Sequence, residues 1–206
     1  TITSAEGVVL TNCGFSINSG VSGVTINGLT IRNTISSYPI YVGPNCSDIS
    51  ITNNNILVNY SSNYQSWLYG IDFNAYDWAT NTTYNFNNIA ITDNTIWMYG
   101  NSYVCGIYGS DFINSNVLRN TIYAYSDTTS TLPGNNAVYG IALCDDGTWT
   151  VVSRPQNNKI SDNTVTVIGQ SVYGIEDFGI NQNVSDNTIT AVANPTGSAY
   201  GIAVGI

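Results

Sequence analysis

A short phrase that recurs along the chain constrains its fold more than any other feature of the sequence. In this phrase an Asn is followed by Thr, or once by a second Asn, and then by Ile or Val. The phrase occurs six times, with its marker residue at Asn33, Asn54, Asn94, Asn120, Asn163 and Asn187. A second phrase, Tyr or Cys followed by Gly and Ile, has its glycine at Gly70, Gly106, Gly140, Gly174 and Gly201. Two short β-type phrases that return at intervals of roughly 20 residues or more indicate a solenoid, and the unequal intervals indicate coils with inserted loops.

The rest of the sequence is patterned as β-structure within one domain. No segment repeats apolar residues with a helical period, and helix formers such as Ala, Leu, Glu and Lys are scarce. The run 23–31 alternates apolar and polar residues between glycines, which is typical of strands and turns. We therefore predict a single all-β solenoid domain over residues 1–206, with initial coils at 1–31 and regular coils at 32–206. Loop inserts on alternate coils are predicted at 72–88, 126–136 and 144–158.

Stacking of the coils places equivalent residues in columns about 4.8 Å apart, the spacing of neighbouring strands. The marker Asn residues are then predicted to form one amide ladder at a tight turn, because Asn tolerates left-handed backbone. The residues before three of the markers, Asp93, Arg119 and Asp162, form a column in which each charge lies next to its opposite. Because the chain has only four cations, this placement favours salt bridges over catalysis. The Gly column marks either a close packing contact or a sharp bend.

Two of the repeats, Ile91-Thr-Asp-Asn-Thr-Ile96 and Ile160-Ser-Asp-Asn-Thr-Val165, resemble those of a known group. They look like the repeats of right-handed parallel β-helices of the pectin-lyase-like group, and most of all like NosD-like and adhesin-like surface proteins of methanogenic archaea. The resemblance covers residues 20–206 and implies a single-stranded right-handed parallel β-helix. It says little about function, because this scaffold carries lyases, hydrolases, adhesins and structural proteins.

The resemblance also implies that catalysis on this scaffold would use acids. Lyases of the group pair acidic Ca²⁺ ligands with an Arg or Lys base, and its hydrolases use two or three Asp residues on neighbouring coils. The candidates are acids that follow the Gly phrase, namely Asp72, Asp111, Asp145 and Asp146. Turn formation is the first interpretation of these acids, because the chain has no His and no cation falls within their cluster. Ca²⁺ binding and catalysis stay open as alternatives, and no metal site or cofactor is assigned.

A groove is predicted where the long inserts leave the coils. Inserts 72–88 and 144–158 emerge at the same corner of alternate coils, so they can wall a groove roughly 10 Å wide. Three aromatic residues of these inserts are then the candidates to face sugar rings: Trp78, Tyr84 and Trp149.

Composition excludes several classes of partner. Thirteen Asp and Glu residues against four Lys and Arg residues give a net charge of −9, which repels phosphate backbones, so no nucleic-acid partner is expected. No apolar run reaches the roughly 18 residues of a membrane span. The four Cys residues lack the spacing of a metal site. Cys105 and Cys144 are displaced by about 16 Å along adjacent strands, and we predict no disulfide between them.

The sequence favours an extracellular, cell-surface protein. Its polar residues are mostly Asn, Ser, Thr and Tyr, it begins at Thr1 rather than Met, and Asn59 and Asn81 are candidate glycosylation sites. The segment 198–206 keeps the apolar coil pattern, so we expect neighbouring subunits of a homopolymer to cover the terminal coils. The favoured function is a structural or adhesive protein that self-assembles into a filament, sheath or layer. The alternative is a carbohydrate-binding or polysaccharide-cleaving domain with an acidic, aromatic groove.

Overall fold

The protein is built from parallel β-sheets, as its computed structural model shows. The residues that the structure describes are 1–3, 8–33, 37–60, 67–101, 103–127, 137–144 and 154–205. Their regular secondary structure consists of strands alone, so the prediction of an all-β chain is confirmed. Within these ranges no helix is long and apolar enough to cross a membrane.

Seven short strands form a small sheet, in which each strand pairs in parallel with the equivalent strand of the next coil. In spatial order they are β1 (Ile2–Thr3), β4 (Thr25–Asn27), β7 (Ser50–Thr52), β13 (Ala90–Thr92), β17 (Asn116–Leu118), β20 (Lys159–Ser161) and β22 (Asn183–Ser185). The middle residue of each strand from β4 to β20 is buried against the core. The small sheet therefore presents one apolar face inward.

Twelve strands form a large, strongly curled sheet. Its first half contains β2 (Val9–Thr11), β5 (Thr30–Asn33), β8 (Asn55–Asn59), β14 (Thr95–Gly100) and β18 (Thr121–Ser126). Its second half contains β3 (Phe15–Ile17), β6 (Ile40–Val42), β9 (Leu68–Phe73), β15 (Val104–Ser110) and β19 (Ala137–Cys144). The long strand β21 (Thr164–Asp177) pairs with both β18 and β19 and so joins the halves, and β23 (Thr188–Val204) pairs along β21. Coils thus add in order along the sheets, which gives a solenoid-like architecture.

The insert at 72–88 contains strands of its own. β10 (Tyr76–Asp77) and β11 (Thr82–Thr83) form an antiparallel hairpin, and β12 (Phe86–Asn87) pairs in parallel with β16 (Phe112–Ile113). Most of the inserts predicted at 126–136 and 144–158 lies outside the described residues.

Two columns of left-handed turns bracket the small sheet. The marker corner, directly before the marker position, consists of Gly28, Asn53, Asp93, Arg119, Asp162 and Asp186, all with positive φ. The upstream corner, five residues earlier in every coil, consists of Gly23, Asp48, Asn88, Asn114, Asn157 and Asn181, again with positive φ. Gly, Asn and Asp are the residues that adopt this conformation at least cost. A three-residue strand between two such turns sets the width of the small sheet.

The marker Asn side chains form a chain of buried hydrogen bonds from Asn54 to Asn187. The backbone N–H and the side-chain amide of each marker both donate to Oδ1 of the next, at 2.9–3.0 Å. Each side-chain amide also donates to a carbonyl of the small sheet in the preceding coil, as Asn94 does to Ile51 at 2.8 Å. One marker therefore links three consecutive coils.

Asn33 does not belong to this ladder, and the prediction that placed it there is wrong. It pairs in register with Val58 and is buried within β5. The backbone N–H of Leu29 donates to Asn54 Oδ1 instead, so Leu29 holds the ladder position of that coil. The physical reason is the strand register: Thr30 pairs with Asn55, which places Leu29 level with Asn54, and Asn33 lies four residues farther along.

The charge column contains one close ion pair on the surface. The Arg119 guanidinium donates to both carboxylate oxygens of Asp93, at 2.7 and 2.8 Å. This contact holds the pKa of Asp93 below its usual range and raises that of Arg119. Asp162 accepts a hydrogen bond from the Ser161 hydroxyl at 2.7 Å and attracts Arg119 at longer range.

One hydrophobic core runs between the two sheets, and the β-branched residue two positions after each marker from Asn54 to Asn187 lies on its inner side. Four of the five glycines of the second phrase pack directly against these residues, and Gly201 is the exception. A Cβ atom built on Gly140 would lie 2.2 Å from Val165 Cγ1, and one on Gly174 would lie 2.3 Å from Ile189 Cγ2. Of the two roles considered for the Gly column, close packing across the core is the one observed.

Candidate ligand-binding pocket

An open pocket of about 420 Å³ lies over the second half of the large sheet, beside the β10–β11 hairpin. Six of its lining residues are aromatic, and the other three are polar. The lining consists of Tyr38, Trp67, Tyr69, Asp72, Asn74, Tyr76, Trp78, Tyr108 and Ser110. No Lys or Arg is among them.

The hairpin forms one wall of the pocket, and short-range hydrogen bonds fix its shape. Asn74 Oδ1 accepts the backbone N–H of Tyr76 at 3.0 Å, and Asp77 Oδ1 accepts that of Ala79 at 2.9 Å. These bonds form Asx turns, which Asn and Asp favour. The Tyr76 hydroxyl donates to Asn81, and the Tyr76 ring packs edge-on against Trp78 at 4.6 Å. Trp78, which is 83% exposed, is thus held at the hairpin tip by a rigid neighbour.

Stacked aromatic rings form the opposite wall. Tyr38 stacks on the buried Tyr69 with ring centroids 5.6 Å apart, and Trp67 stacks on Tyr103 at 5.2 Å. Trp67 is 61% exposed, so its indole adds apolar surface at the rim. Burial raises the pKa of the Tyr69 and Tyr108 hydroxyls, so both remain protonated hydrogen-bond donors.

Asp72 lies at the floor of the pocket. It is on β9, in register with Tyr41 and Tyr108 of the neighbouring strands, and only 4% of its surface is exposed. Burial raises the pKa of its carboxyl group to about 7. Beneath it, the Ser110 hydroxyl donates to the Phe73 carbonyl and accepts the Ala75 N–H, so the floor is tied to the hairpin.

The structure brings one of the four candidate catalytic acids to the pocket. Asp111 follows the lining residue Ser110, but it is fully buried in a left-handed turn and does not line the pocket. Asp145 and Asp146 lie outside the described residues. Glycoside hydrolysis ordinarily uses a pair of carboxylates several ångströms apart. Among the described lining residues Asp72 is the single carboxylate.

Of the three aromatic residues predicted to face a sugar, Trp78 lines the pocket. Tyr84 is half-buried behind the hairpin, where its N–H donates to the Ala75 carbonyl, and Trp149 lies outside the described residues. Sequence reasoning missed most of the lining, including Tyr38, Trp67 and Tyr108. One usable signal was Tyr69 in the Gly phrase, because the column through that position contains stacked tyrosines at 139, 173 and 200.

Other predicted features lie away from the pocket or at its margin. Asn59 is exposed at the end of β8, and Asn81 is exposed in the turn of the hairpin. Cys105 and Cys144 are not joined by a disulfide, as predicted. Within the described ranges, no three His, Cys, Asp or Glu side chains lie close enough together to hold a metal ion.

A third buried acid lies on the core side of the large sheet. Asp177 is fully buried, in register with Leu143 of β19 and Val204 of β23. Burial raises the pKa of its carboxyl group to about 7, and the Gly179 backbone amide partly offsets this shift.

No protein-family model, curated protein or solved structure matches this chain.

Proposed function

We propose that this protein binds a glycan in the aromatic pocket. The observation that carries the proposal is the pairing of two aromatic walls, with Trp67 and Trp78 exposed at the rim, and a polar floor of Asp72, Asn74 and Ser110. Ligand pockets typically combine apolar surface with a few fixed polar groups that orient the ligand. A sugar ring has an apolar face of C–H groups and an edge of hydroxyls, which matches this combination. Asp72 then accepts hydrogen bonds from hydroxyls, and the buried tyrosines donate to ring or hydroxyl oxygens.

Substitution of the hairpin tryptophan tests this proposal. We expect Trp78→Ala to weaken binding of a glycan, identified first on a glycan array, by about 10-fold or more, since loss of a stacking surface of this size costs at least 1.4 kcal/mol. Titration calorimetry measures the affinity. Trp97→Ala is the matched control, because Trp97 is half-exposed but stacks on Tyr123 in the first half of the large sheet. If no glycan binds, or if the two variants behave alike, the proposal is wrong.

A second candidate function, self-assembly into an extracellular filament, sheath or layer, is favoured by the outer edge of β23. This strand of 17 residues pairs with β21, and its apolar side chains Val192, Ile202 and Val204 are exposed. No described residue lies within 4 Å of a Cβ built on Gly201, whereas the equivalent Gly174 meets Ile189 of the next coil. We propose that a second copy of this chain packs against this apolar surface, since contiguous exposed apolar side chains mark interaction sites. Contacts of this kind do not close and give fibres.

Charged substitutions on that edge test the assembly. We expect the purified protein to form concentration-dependent oligomers by light scattering, and fibres or sheets by electron microscopy. Ile202→Lys is expected to abolish them, while Thr190→Lys on the same strand, an exposed polar position, leaves them intact. A protein that stays monomeric at all concentrations excludes self-assembly without bearing on glycan binding.

We also propose that the sheets form the right-handed parallel β-helix of the pectin-lyase-like group, as in NosD-like and adhesin-like surface proteins. Parallel pairing at every coil interval and the alternation of small-sheet and large-sheet strands support this. An experimental structure tests the handedness of the coils. Mass spectrometry of protein from its native source tests secretion through glycans at Asn59 and Asn81.

A further inference from the structure

We propose that the glycan recognised by the pocket carries a positive charge, and that Asp72 binds the protonated amine of an amino sugar. This inference rests on the glycan binding proposed above and specifies its substrate class.

Asp72 lies in a pocket that no cation of the described chain lines. Its side chain is at least nine-tenths buried, yet no basic residue lines the pocket. Of the chain's four cations, Arg119 is bound to Asp93 at the marker corner, Arg32 lies on the first half of the large sheet and Lys159 lies on the small sheet. The fourth, Arg154, is not among the residues that line the pocket. A buried carboxylate without a counter-charge is costly. A ligand that brings an ammonium group removes this cost, and a neutral sugar does not.

The aromatic walls of the pocket also favour a positively charged ligand. Tyr and Trp rings carry negative charge on their faces and attract cations placed against them. Tyr38, Tyr69 and Tyr108 surround the floor near Asp72, while Trp67 and Trp78 extend the aromatic surface to the rim. Asp72 and the aromatic rings therefore both favour a positively charged ligand.

Negatively charged sugars are disfavoured at this site. A uronate would place a carboxylate beside Asp72 in a chain of net charge −9, with no basic side chain in the described lining. Like charges at close range in a partly buried site repel strongly. The pocket is thus built against acidic polysaccharides.

The test compares three oligosaccharides of equal length by titration calorimetry near neutral pH: a glucosamine tetrasaccharide, its fully N-acetylated counterpart and a galacturonate tetrasaccharide. We expect the glucosamine compound to bind at least about 10-fold more tightly than the acetylated one, and the galacturonate not to bind. Added salt is expected to weaken binding of the glucosamine compound more than that of the acetylated one.

Asp72→Asn is expected to abolish the preference for the free amine. Asp186→Asn is the control, because it removes the same charge at an exposed marker corner where Asn tolerates the positive φ. Equal or tighter binding of the acetylated or galacturonate compound overturns the inference but leaves glycan binding standing. Absence of binding to every glycan overturns the proposed function itself. If Asp72→Asn does not fold, the ratio of affinities for the wild-type protein decides the question alone.

Discussion

Asp177 occupies an inward-facing column of the large sheet that other coils fill with Phe73, Gly109 and Leu143. Its pKa of about 7 lies above the value of 3.8 for an ordinary Asp, so the folded protein holds this proton more tightly than the unfolded chain does. The folded state is then favoured at low pH, and that advantage is lost as the pH rises from about 4 to about 7. Burial also raises the pKa of Asp72 to about 7, so this group likewise favours the folded state at low pH.

Removal of the ionisable group at position 177 is expected to weaken the dependence of the free energy of unfolding on pH. Asp177→Asn leaves the free energy of unfolding unchanged near pH 4 and raises it above pH 7 by up to roughly 4 kcal/mol, since each pKa unit corresponds to about 1.4 kcal/mol. Urea unfolding across this pH range measures the effect. The exposed Asp186→Asn serves as control and is expected to follow the wild type. A wild-type stability that does not fall between pH 4 and pH 8 contradicts the assignment.

The contact between the Gly column and the β-branched column joins the two halves of the large sheet. Gly140→Ala places a methyl group within 2.5 Å of Val165 and of the Gly174 carbonyl, so we expect a loss of about 1–3 kcal/mol or more. Gly201→Ala, in the same column, has open space around its Cβ and is expected to unfold like the wild type. Thermal and urea unfolding of the two variants measure this difference. Equal stabilities would show that the column is not tightly packed.

The Asn ladder is the polar counterpart of that contact. Asn120→Ala leaves the backbone N–H and side-chain amide of Asn94 and the Ile91 carbonyl without their partner, so we expect a loss of at least about 3 kcal/mol. Asn157→Gly at the upstream corner removes two exposed bonds of 3.3 Å, one to Asn114 and one from Asn181, and keeps the left-handed turn, so its expected cost is below about 1 kcal/mol. Chemical denaturation of both variants tests the ranking, and a reversed order would refute the structural role of the ladder.

The sequence predicted the strand class and five ladder positions, because the marker phrase repeats a contact that every coil needs. It misplaced Asn33, because this Asn repeats the marker phrase four residues beyond the ladder position, which Leu29 holds in that coil. The upstream corner was not predicted, because Gly, Asp and Asn replace one another at this position. Its spacing of five residues from the marker corner is nevertheless constant. The pocket was predicted in part through Trp78 and Asp72. The opposite wall of the pocket was not predicted, because Tyr38 and Trp67 lie on different coils and only the strand register brings them together.

On the scale of the whole molecule, each coil is stabilised by the coils beside it, as in other repeat proteins. We expect hydrogen exchange to be slowest for the amides of β14 and β18, which pair on both sides, and fastest for β23 at the edge. Mass spectrometry of peptic fragments at low protein concentration measures this gradient. Protection of β23 that rises with concentration would support self-assembly, and equal protection throughout a dilute monomer would contradict the one-dimensional description.

The unequal spacing of the ladder gives the molecule a distinctive mechanical response. Successive markers from Asn54 are 40, 26, 43 and 24 residues apart, yet each coil adds the same rise along the stack. Under tension the coils should peel away one at a time, and each releases a length of chain set by its own interval. At about 3.6 Å per residue, the 26-residue coil lengthens the chain by roughly 90 Å and the 43-residue coil by roughly 150 Å. The force–extension curve of a single molecule would then show steps of unequal size, and their order would reveal the end from which the stack unravels.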